Sequence, residues 1–123
     1  AIAHVGLTVD APQPAIRAFR ARVEKKYNYV SDDNGMKGYS GVYILKAAIE
    51  KTGKLDRKAV AATLHTLRVK AADQPGVLMD VSFDAKGDLD RESFMIEVKN
   101  GKQEVVSILP PLNAAVPAAA AKK

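Results

Sequence analysis

The sequence contains no cysteine. This absence excludes disulfides, zinc–thiolate sites and thiol nucleophiles, and it leaves the compartment open, since such a chain suits an oxidising or a reducing environment. Long apolar runs are also missing, because the longest fall far below the roughly 18 residues of a membrane span. No charged segment followed by an apolar run, the mark of a signal peptide, follows Ala1. A processed or truncated piece of a longer protein would lack that signal as well.

A block of like charges is the next missing feature. The net charge is +5, yet basic residues often stand beside acids, as in RVEKK and LDRK. No run of five or six like charges creates the field of a nucleic-acid-binding stripe, so nucleic acid is not an expected partner. The positive balance keeps one alternative of another class open, a small basic adaptor domain that binds an acidic protein or a nucleic acid.

What is present fits one modest globular domain. The chain has 123 residues, of which 47% are hydrophobic and 27% charged. This balance is typical of a folded protein and not of a disordered or fibrous one. The length allows a single core but not two full domains.

The first half of the chain predicts helices. Pro14 suits the first position of a helix, and Ile16, Phe19, Val23 and Tyr27 follow at intervals of three and four, which predicts one apolar stripe. A short apolar strand is predicted before this helix, at residues 1–9. The first helix is therefore expected to pack through one face.

A loop of turn formers is predicted at Ser31–Gly35, and a second helix from Met36 or Lys37 to Thr52, ended by Gly53. The inward stripe of this helix is predicted to consist of Tyr39, Val42, Tyr43, Leu45, Ala48 and Ile49. Asp56 can cap a third helix that stops near Arg68. The inward residues of the third helix are predicted to be Val60, Leu64 and Leu67.

From Gly76 onward the apolar period changes from 3.6 to 2, which predicts strands. The first strand is expected to include Val77, Met79, Val81 and Phe83, and DAKGD then turns the chain. Phe94, Ile96 and Val98 alternate in the next strand. Asn100-Gly101 is a strong hairpin signal, because a type I′ turn needs positive φ at both positions. In the last strand, one face is predicted to carry Val105, Ser107 and Leu109.

Three helices followed by a small β meander do not enclose one core by themselves. Helices of this kind usually cover a parallel sheet, and its strands are missing from the sequence. The pattern therefore indicates part of a larger α/β protein.

Two long segments, GYSGVYILKAAIEKTGKLDRKAVAATLHTL and GVLMDVSFDAKGDLDRESFMIEVKNGK, resemble the C-terminal third of periplasmic substrate-binding proteins of ABC transporters. The closest branch is the leucine/isoleucine/valine-binding type, also called extracellular ligand-binding receptors. The order and spacing of several short motifs carry this resemblance. They are Gly38-Tyr39, the A-I-E-K-T-G of residues 48–53, the F-D-A-K-G-D of residues 83–88 and the V-K-N-G-K of residues 98–102. Between Gly76 and Phe83 this chain is longer than the usual family pattern, with an extra LMDV.

The resemblance implies the C-terminal part of a type I periplasmic-binding-protein fold, with two α/β lobes joined by three hinge crossings. Residues 1–9 would be a strand end or crossing, and residues 10–90 the last helical part of the N-terminal lobe. Residues 91–112 would form a crossing and the closing hairpin of the C-terminal lobe, and residues 113–123 a disordered tail. The expected hinge residues are Arg91, Glu92, Ser93, Phe94 and Met95.

By the same resemblance, the protein would be the solute-binding component of an ABC importer in the periplasm or another extracytoplasmic, membrane-anchored location. It would capture an amino acid or related small carboxylate between its lobes and deliver it to the membrane permease. An aromatic or other organic acid is the alternative ligand. The other expected partner is the remaining N-terminal part of the same protein.

The junction SDDNGMKGYSG is the predicted ligand-binding stretch, because a helix N-terminus offers free N–H groups and a positive dipole end. By the resemblance, Asn34, Met36, Lys37 and Tyr39 would line the cleft. Met36 would supply adaptable apolar contact and Lys37 would attract a carboxylate. In the alternative interpretation, Tyr39 packs in the core and Lys37 is a solvated surface charge.

No catalytic constellation emerges, so an enzyme is not expected, and no cofactor or metal is predicted. The histidines, His4 and His65, have no partner in sequence that would make either a base. Four acids lie close together in sequence but lack the spacing of a calcium-binding EF-hand loop. They are Asp80, Asp84, Asp88 and Asp90, and turn formation is the preferred interpretation.

Overall fold

The computed structural model describes residues 1–112. The helices are α1 (Pro14–Tyr27), α2 (Asp33–Thr52) and α3 (Arg57–His65). The strands are β1 (Ile2–Val5), β2 (Arg68–Val69), β3 (Val81–Ser82), β4 (Ser93–Lys99) and β5 (Lys102–Leu109), and a 3₁₀ turn spans Pro75–Val77. The predicted tail, residues 113–123, lies outside the described residues.

Helix α1 is confirmed where the sequence predicted it. Pro14 begins the helix, and Ile16 and Phe19 are buried. Tyr27 was expected on the same stripe, but this prediction is wrong, since its side chain is 60% exposed. Tyr27 is the last residue of the helix, because Asn28 adopts a left-handed conformation and ends it there.

Helix α2 begins earlier than predicted, so the expected loop at Ser31–Gly35 is too long. Asp32 is the N-cap, and its carboxylate accepts a hydrogen bond from the Gly35 N–H at 2.8 Å. A side-chain acceptor at this position satisfies a free N–H group of the first turn. The capped turn therefore draws Asp33 and Gly35 into the helix although glycine is a poor helix former.

The predicted inward stripe of α2 is wrong at two positions. Val42 is 68% exposed and Leu45 is 49% exposed. The buried residues of the helix are Met36, Ser40 and Ala48. The apolar residues of α2 lie on two faces, and the described part of the chain covers one of them.

Helix α3 is confirmed, with Asp56 as its N-cap. The Asp56 carboxylate accepts a hydrogen bond from the Ala59 N–H at 2.7 Å. The helix ends at His65 and not near Arg68, because residues 68 and 69 form β2. Leu67 is buried as predicted even though it follows the helix.

The strand predicted over residues 77–83 is mostly absent. Val77, Leu78 and Met79 are all buried, and Val77 belongs to a 3₁₀ turn and not to a strand. Pro75 begins a 3₁₀ turn, and Leu78 has a φ of 67°, which interrupts an extended conformation. Only β3 remains of this strand, and it pairs antiparallel with β2 in a separate ribbon.

The larger sheet has the order β1-β4-β5, and both pairs are antiparallel. The hairpin at Asn100-Gly101 is confirmed, with φ values of 50° and 74° at its two central residues. The predicted meander is corrected, because the third strand of the sheet is β1 and not β3.

An irregularity in the β4–β5 pair changes one predicted face. Met95 pairs with Ser107, and its neighbour Ile96 pairs with Val105. Since paired residues share a face of the sheet and adjacent residues do not, Val105 and Ser107 lie on opposite faces. The predicted common face of Val105, Ser107 and Leu109 is therefore wrong.

Two apolar clusters form the core. The larger one joins the segment after β1, α1, the first turn of α2, the 3₁₀ turn and β4. Its buried members are Leu7, Ala11, Ile16, Phe19, Met36, Leu78, Met79, Phe94 and Ile96. The smaller one lies between α2 and α3 and contains Ala48, Val60 and Leu67. The two clusters do not test the predicted division of the chain into lobe segments, which stays a prediction.

Candidate functional site

The first two turns of α2 carry the four predicted ligand-binding residues. The N-terminal N–H groups of this helix are partly engaged, because Asp32 accepts the Gly35 N–H. The hydroxyl of Ser31, which is buried, donates to the Asp32 carbonyl oxygen at 3.1 Å. The turn is therefore fixed in place by its own side chains.

Asn34 and Lys37 lie at the surface of this turn. The Lys37 ammonium donates to the Asp33 carboxylate at 2.7 Å, one helical turn away. This hydrogen bond is the main cause that lowers the pKa of Asp33. Lys37 is thus a solvent-exposed cation that forms an exposed ion pair with Asp33 one helical turn away.

Met36 and Tyr39 point toward the protein interior. Met36 is fully buried in the larger core cluster. The ring of Tyr39 packs against that cluster, with its centroid 4.8 Å from that of Phe19, and its hydroxyl accepts a hydrogen bond from Arg22 at 3.1 Å. The structure thus brings Asn34 and Lys37 to the surface and turns Met36 and Tyr39 inward. Ligand contact by any of the four stays a prediction.

The predicted hinge residues lie where the chain enters β4. Ser93, Phe94 and Met95 are the first residues of this strand, and Phe94 is fully buried. β1 runs alongside, with Val5 opposite Phe94 and His4 opposite Met95. The two segments that were predicted as crossings are therefore neighbours in one sheet.

Side-chain contacts connect the start of β4 to β1 and to the segment before α1. The His4 ring nitrogen Nε2 lies 2.8 Å from the Ser93 hydroxyl. The Gln13 amide, which precedes α1, donates to the Glu92 carboxylate at 3.1 Å. Sequence reasoning did not identify Gln13, since nothing in the order of residues links positions 79 apart.

A cavity of about 590 Å³ opens beside the same segment. It lies between the β2–β3 ribbon and the residues that lead into β4. Its charged lining residues are Arg68, Lys70, Asp73, Asp80, Asp90, Arg91 and Glu92. Sequence reasoning did not find this cavity, because the segments that line it are far apart in the chain.

Of the four acids considered for calcium, Asp84 stabilises a turn. The Asp84 carboxylate accepts hydrogen bonds from the N–H groups of Lys86 and Asp88 at 2.8 and 2.9 Å. Among residues 1–112, no group of three or more acids and histidines is arranged to hold a metal ion. Within the same range, no helix is both long and apolar enough for a membrane span.

A comparison with known protein families finds one match, the periplasmic binding protein family, over residues 2–103. No curated protein matches the sequence.

Several solved structures share the fold. A leucine-binding protein from Thermotoga maritima MSB8 superposes with a TM-score of 0.73 at 22% identity, over 89% of this chain and 31% of its own. A solute-binding protein of an ABC transporter from Rhodopseudomonas palustris BisB5, in complex with 3,4-dihydroxybenzoic acid, gives 0.73 at 17% identity, over 90% and 31%. A periplasmic binding protein from Burkholderia mallei gives 0.75 at 17% identity, over 89% and 30%.

The chain thus spans about a third of the length of these structures. At such identities the likeness establishes the fold. The described helices and sheets correspond to a piece of a type I periplasmic-binding-protein fold, as the sequence predicted.

Proposed function

Because the chain belongs to the periplasmic binding protein family, we propose that it is the C-terminal portion of the solute-binding component of an ABC importer. The observation that carries this proposal is the family match over residues 2–103, which includes every described helix. The protein captures a small solute between two lobes outside the cytoplasm and presents it to a membrane permease. Its mechanism is reversible binding with hinge motion and involves no covalent chemistry.

An amino acid or related small carboxylate is the proposed ligand. The leucine-binding protein of Thermotoga maritima supports an amino acid, and the dihydroxybenzoic acid complex from Rhodopseudomonas palustris supports an aromatic acid as the alternative. Both kinds of ligand carry a carboxylate. A cation at the binding cleft suits either one.

The start of α2 is the proposed ligand contact within this chain. Lys37 is exposed at this turn and can turn from Asp33 to a ligand carboxylate, since both groups of the pair are in contact with solvent. Asn34 offers an exposed amide beside it. Met36 and Tyr39 form the apolar support on the inner side of this turn.

The exposed face of α2 supports the existence of a further part of the protein. Val42 and Leu45 are largely exposed, and a Cβ atom at Gly38 or Gly41 would meet no atom within 4 Å apart from the backbone of its own helix. A helix with apolar residues on two faces is typically buried on both. We propose that the remaining N-terminal part of a longer protein covers this face with a β-sheet, as helices of α/β proteins are usually covered.

The neighbouring strands β1 and β4 are the proposed crossings between the lobes. Their pairing from Ile2 to Val5 joins residues that lie more than 85 positions apart in the chain. The hinge at Arg91–Met95 would then bend next to a paired strand, which limits the direction of the motion.

A thermal-shift panel tests this proposal. The native-length product of the gene that encodes these residues is heated with each L-amino acid and with benzoate and its hydroxylated derivatives. One class is expected to raise the melting temperature in a saturable manner. The proposal fails if no member of the panel does so. Binding of nucleic acid that collapses steeply with salt would favour the basic adaptor instead.

A further inference from the structure

Arg91 is a partly buried cation without a partner among residues 1–112. It lies between Asp90 and Glu92, directly before β4, yet it takes part in none of the ion pairs of the described chain. Burial lowers the pKa of its guanidinium, and no neighbouring carboxylate raises it again. An unpaired charge in such a position is unfavourable, so an anion that paired with it would bind well.

The guanidinium lines the 590 Å³ cavity described above, and two further cations line it with Arg91. Arg68 and Lys70 belong to or follow β2 and are exposed. Neither forms an ion pair within the described part of the chain. Three cationic residues therefore line one concave space.

The acids of the same cavity are largely engaged by N–H donors. The Asp80 carboxylate accepts the Ala71 N–H at 2.9 Å, and the Asp90 carboxylate accepts the Leu112 N–H at 2.8 Å. Glu92 accepts the Gln13 amide at 3.1 Å. With Asp73, four acids accompany three cations in this lining, a formal net charge of −1, which disfavours a polyanion and leaves the Arg91 guanidinium as the group available to a single carboxylate.

The remaining lining is mostly apolar. It consists of Val69, Met79, Val81 and Pro111, together with Ser82. Met79 and Val81 are buried residues whose edges reach the cavity. An apolar wall beside a cation favours a ligand with an anionic head and an apolar body.

We propose that this cavity binds a small organic carboxylate, with the Arg91 guanidinium as its anchor and Arg68 and Lys70 at its rim. A guanidinium pairs with a carboxylate through two parallel N–H···O bonds. The site shares no residue with the start of α2, and it does not rest on the proposed transport function. Its carboxylate has two possible sources, a free organic acid or the acidic side chain of a protein segment.

The test uses the 123-residue chain and three probes at one ionic strength. They are sodium benzoate, the peptide acetyl-Gly-Glu-Gly-amide and sodium chloride. Thermal shift and calorimetry are expected to detect saturable binding of benzoate, of the peptide or of both, and no effect of chloride. Binding of benzoate identifies a free organic acid as the source, and binding of the peptide alone identifies a protein side chain.

Matched variants assign the binding to the cavity. Arg91→Met removes the charge and keeps most of the side-chain length, and it is expected to weaken binding at least tenfold, as the loss of a charged hydrogen bond does. Arg17→Met makes the same chemical change at an exposed position of α1 outside the cavity and should leave the affinity unchanged.

If Arg91→Met does not fold, Arg68→Met and Lys70→Met give the answer, because both residues are exposed. Each should weaken binding by a few-fold. The proposal is overturned if neither carboxylate probe binds the wild-type chain, or if the variants at the cavity bind as tightly as Arg17→Met does.

Discussion

The ring of Tyr43 occupies the space that a Cβ atom at Gly76 would need. This close approach joins the middle of α2 to the 3₁₀ turn that precedes β3. Gly76 is buried, and its neighbours Val77 and Leu78 are fully buried as well. The contact therefore positions the segment that lines one side of the larger core cluster.

Gly76→Ala is expected to destabilise the protein by about 1–3 kcal/mol, because the new methyl group would overlap the ring carbons of Tyr43. Urea unfolding measures the change. Gly41→Ala is the matched control, since a Cβ atom there meets no atom within 4 Å apart from the backbone of its own helix. It lies within a helix, so alanine should stabilise by about 0.5–1 kcal/mol. Equal effects of the two substitutions would contradict the close approach.

Asp84 holds the turn before β4 through two backbone N–H groups. Asp84→Ala is expected to lower the free energy of unfolding by about 1–2 kcal/mol, because both donors lose their acceptor. Asp88→Ala is the control in the same turn, because the Asp88 carboxylate accepts no hydrogen bond within residues 1–112. This substitution should change the free energy of unfolding by less than about 0.5 kcal/mol. If Asp88→Ala proved the more harmful of the two, the role of the Asp84 carboxylate would be wrong.

The pair of Asp33 and Lys37 predicts a pH effect at the start of α2. The pKa of Asp33 is lowered mainly by the hydrogen bond from Lys37. A carboxylate with a lowered pKa in the folded state stabilises the fold above its ordinary pKa of about 3.9, and this contribution is lost as the pH falls through the lowered value.

Lys37→Met should therefore raise the Asp33 pKa toward its ordinary value, which carboxyl carbon shifts in an NMR titration report. Lys46→Met is the control, because Lys46 pairs with Glu50 and not with Asp33. An Asp33 pKa that is the same in both variants would refute the pairing.

Asp56 caps α3 through the Ala59 N–H. Asp56→Ala is expected to cost about 1 kcal/mol of stability, whereas Asp56→Asn keeps an acceptor oxygen and should cost much less. Chemical denaturation of both variants checks the difference. A similar loss in both would mean that the negative charge, and not the capping hydrogen bond, stabilises this helix end.

Local signals in the sequence predicted a large share of the fold. Pro14, Gly53, Asp56 and Asn100-Gly101 act through their own backbone or that of near neighbours, and the structure has them in the predicted roles. Such interactions join residues that are close in sequence, so the local sequence is enough to predict them.

Most errors arose where contacts between residues far apart in the sequence determine which side chains are buried. Val42 and Leu45 carry an apolar pattern, but burial depends on a partner surface, and within residues 1–112 α2 has one for its other face only. The strand predicted from Val77 failed because Pro75 and the positive φ of Leu78 turn the chain into the core. The contact of Gln13 with Glu92 lies beyond any local pattern.

The candidate site shows the same division. The family resemblance selected the start of α2, but the sequence analysis did not predict the Asp32 cap, and the inward direction of Met36 follows from packing against the larger core cluster. The cavity at Arg91 could not be predicted, because β2, β3 and the segment before β4 meet there only after folding.

The central claim is that these residues bind solute as one part of a larger two-lobed protein. Parallel calorimetric titrations test it most directly, with the native-length gene product in one cell and the 123-residue chain in the other, each titrated with the solute identified by the thermal-shift panel. We predict a Kd of about 1 μM or tighter for the native-length product and an affinity at least about a hundredfold weaker for the 123-residue chain. Equal, tight binding by both would contradict the account.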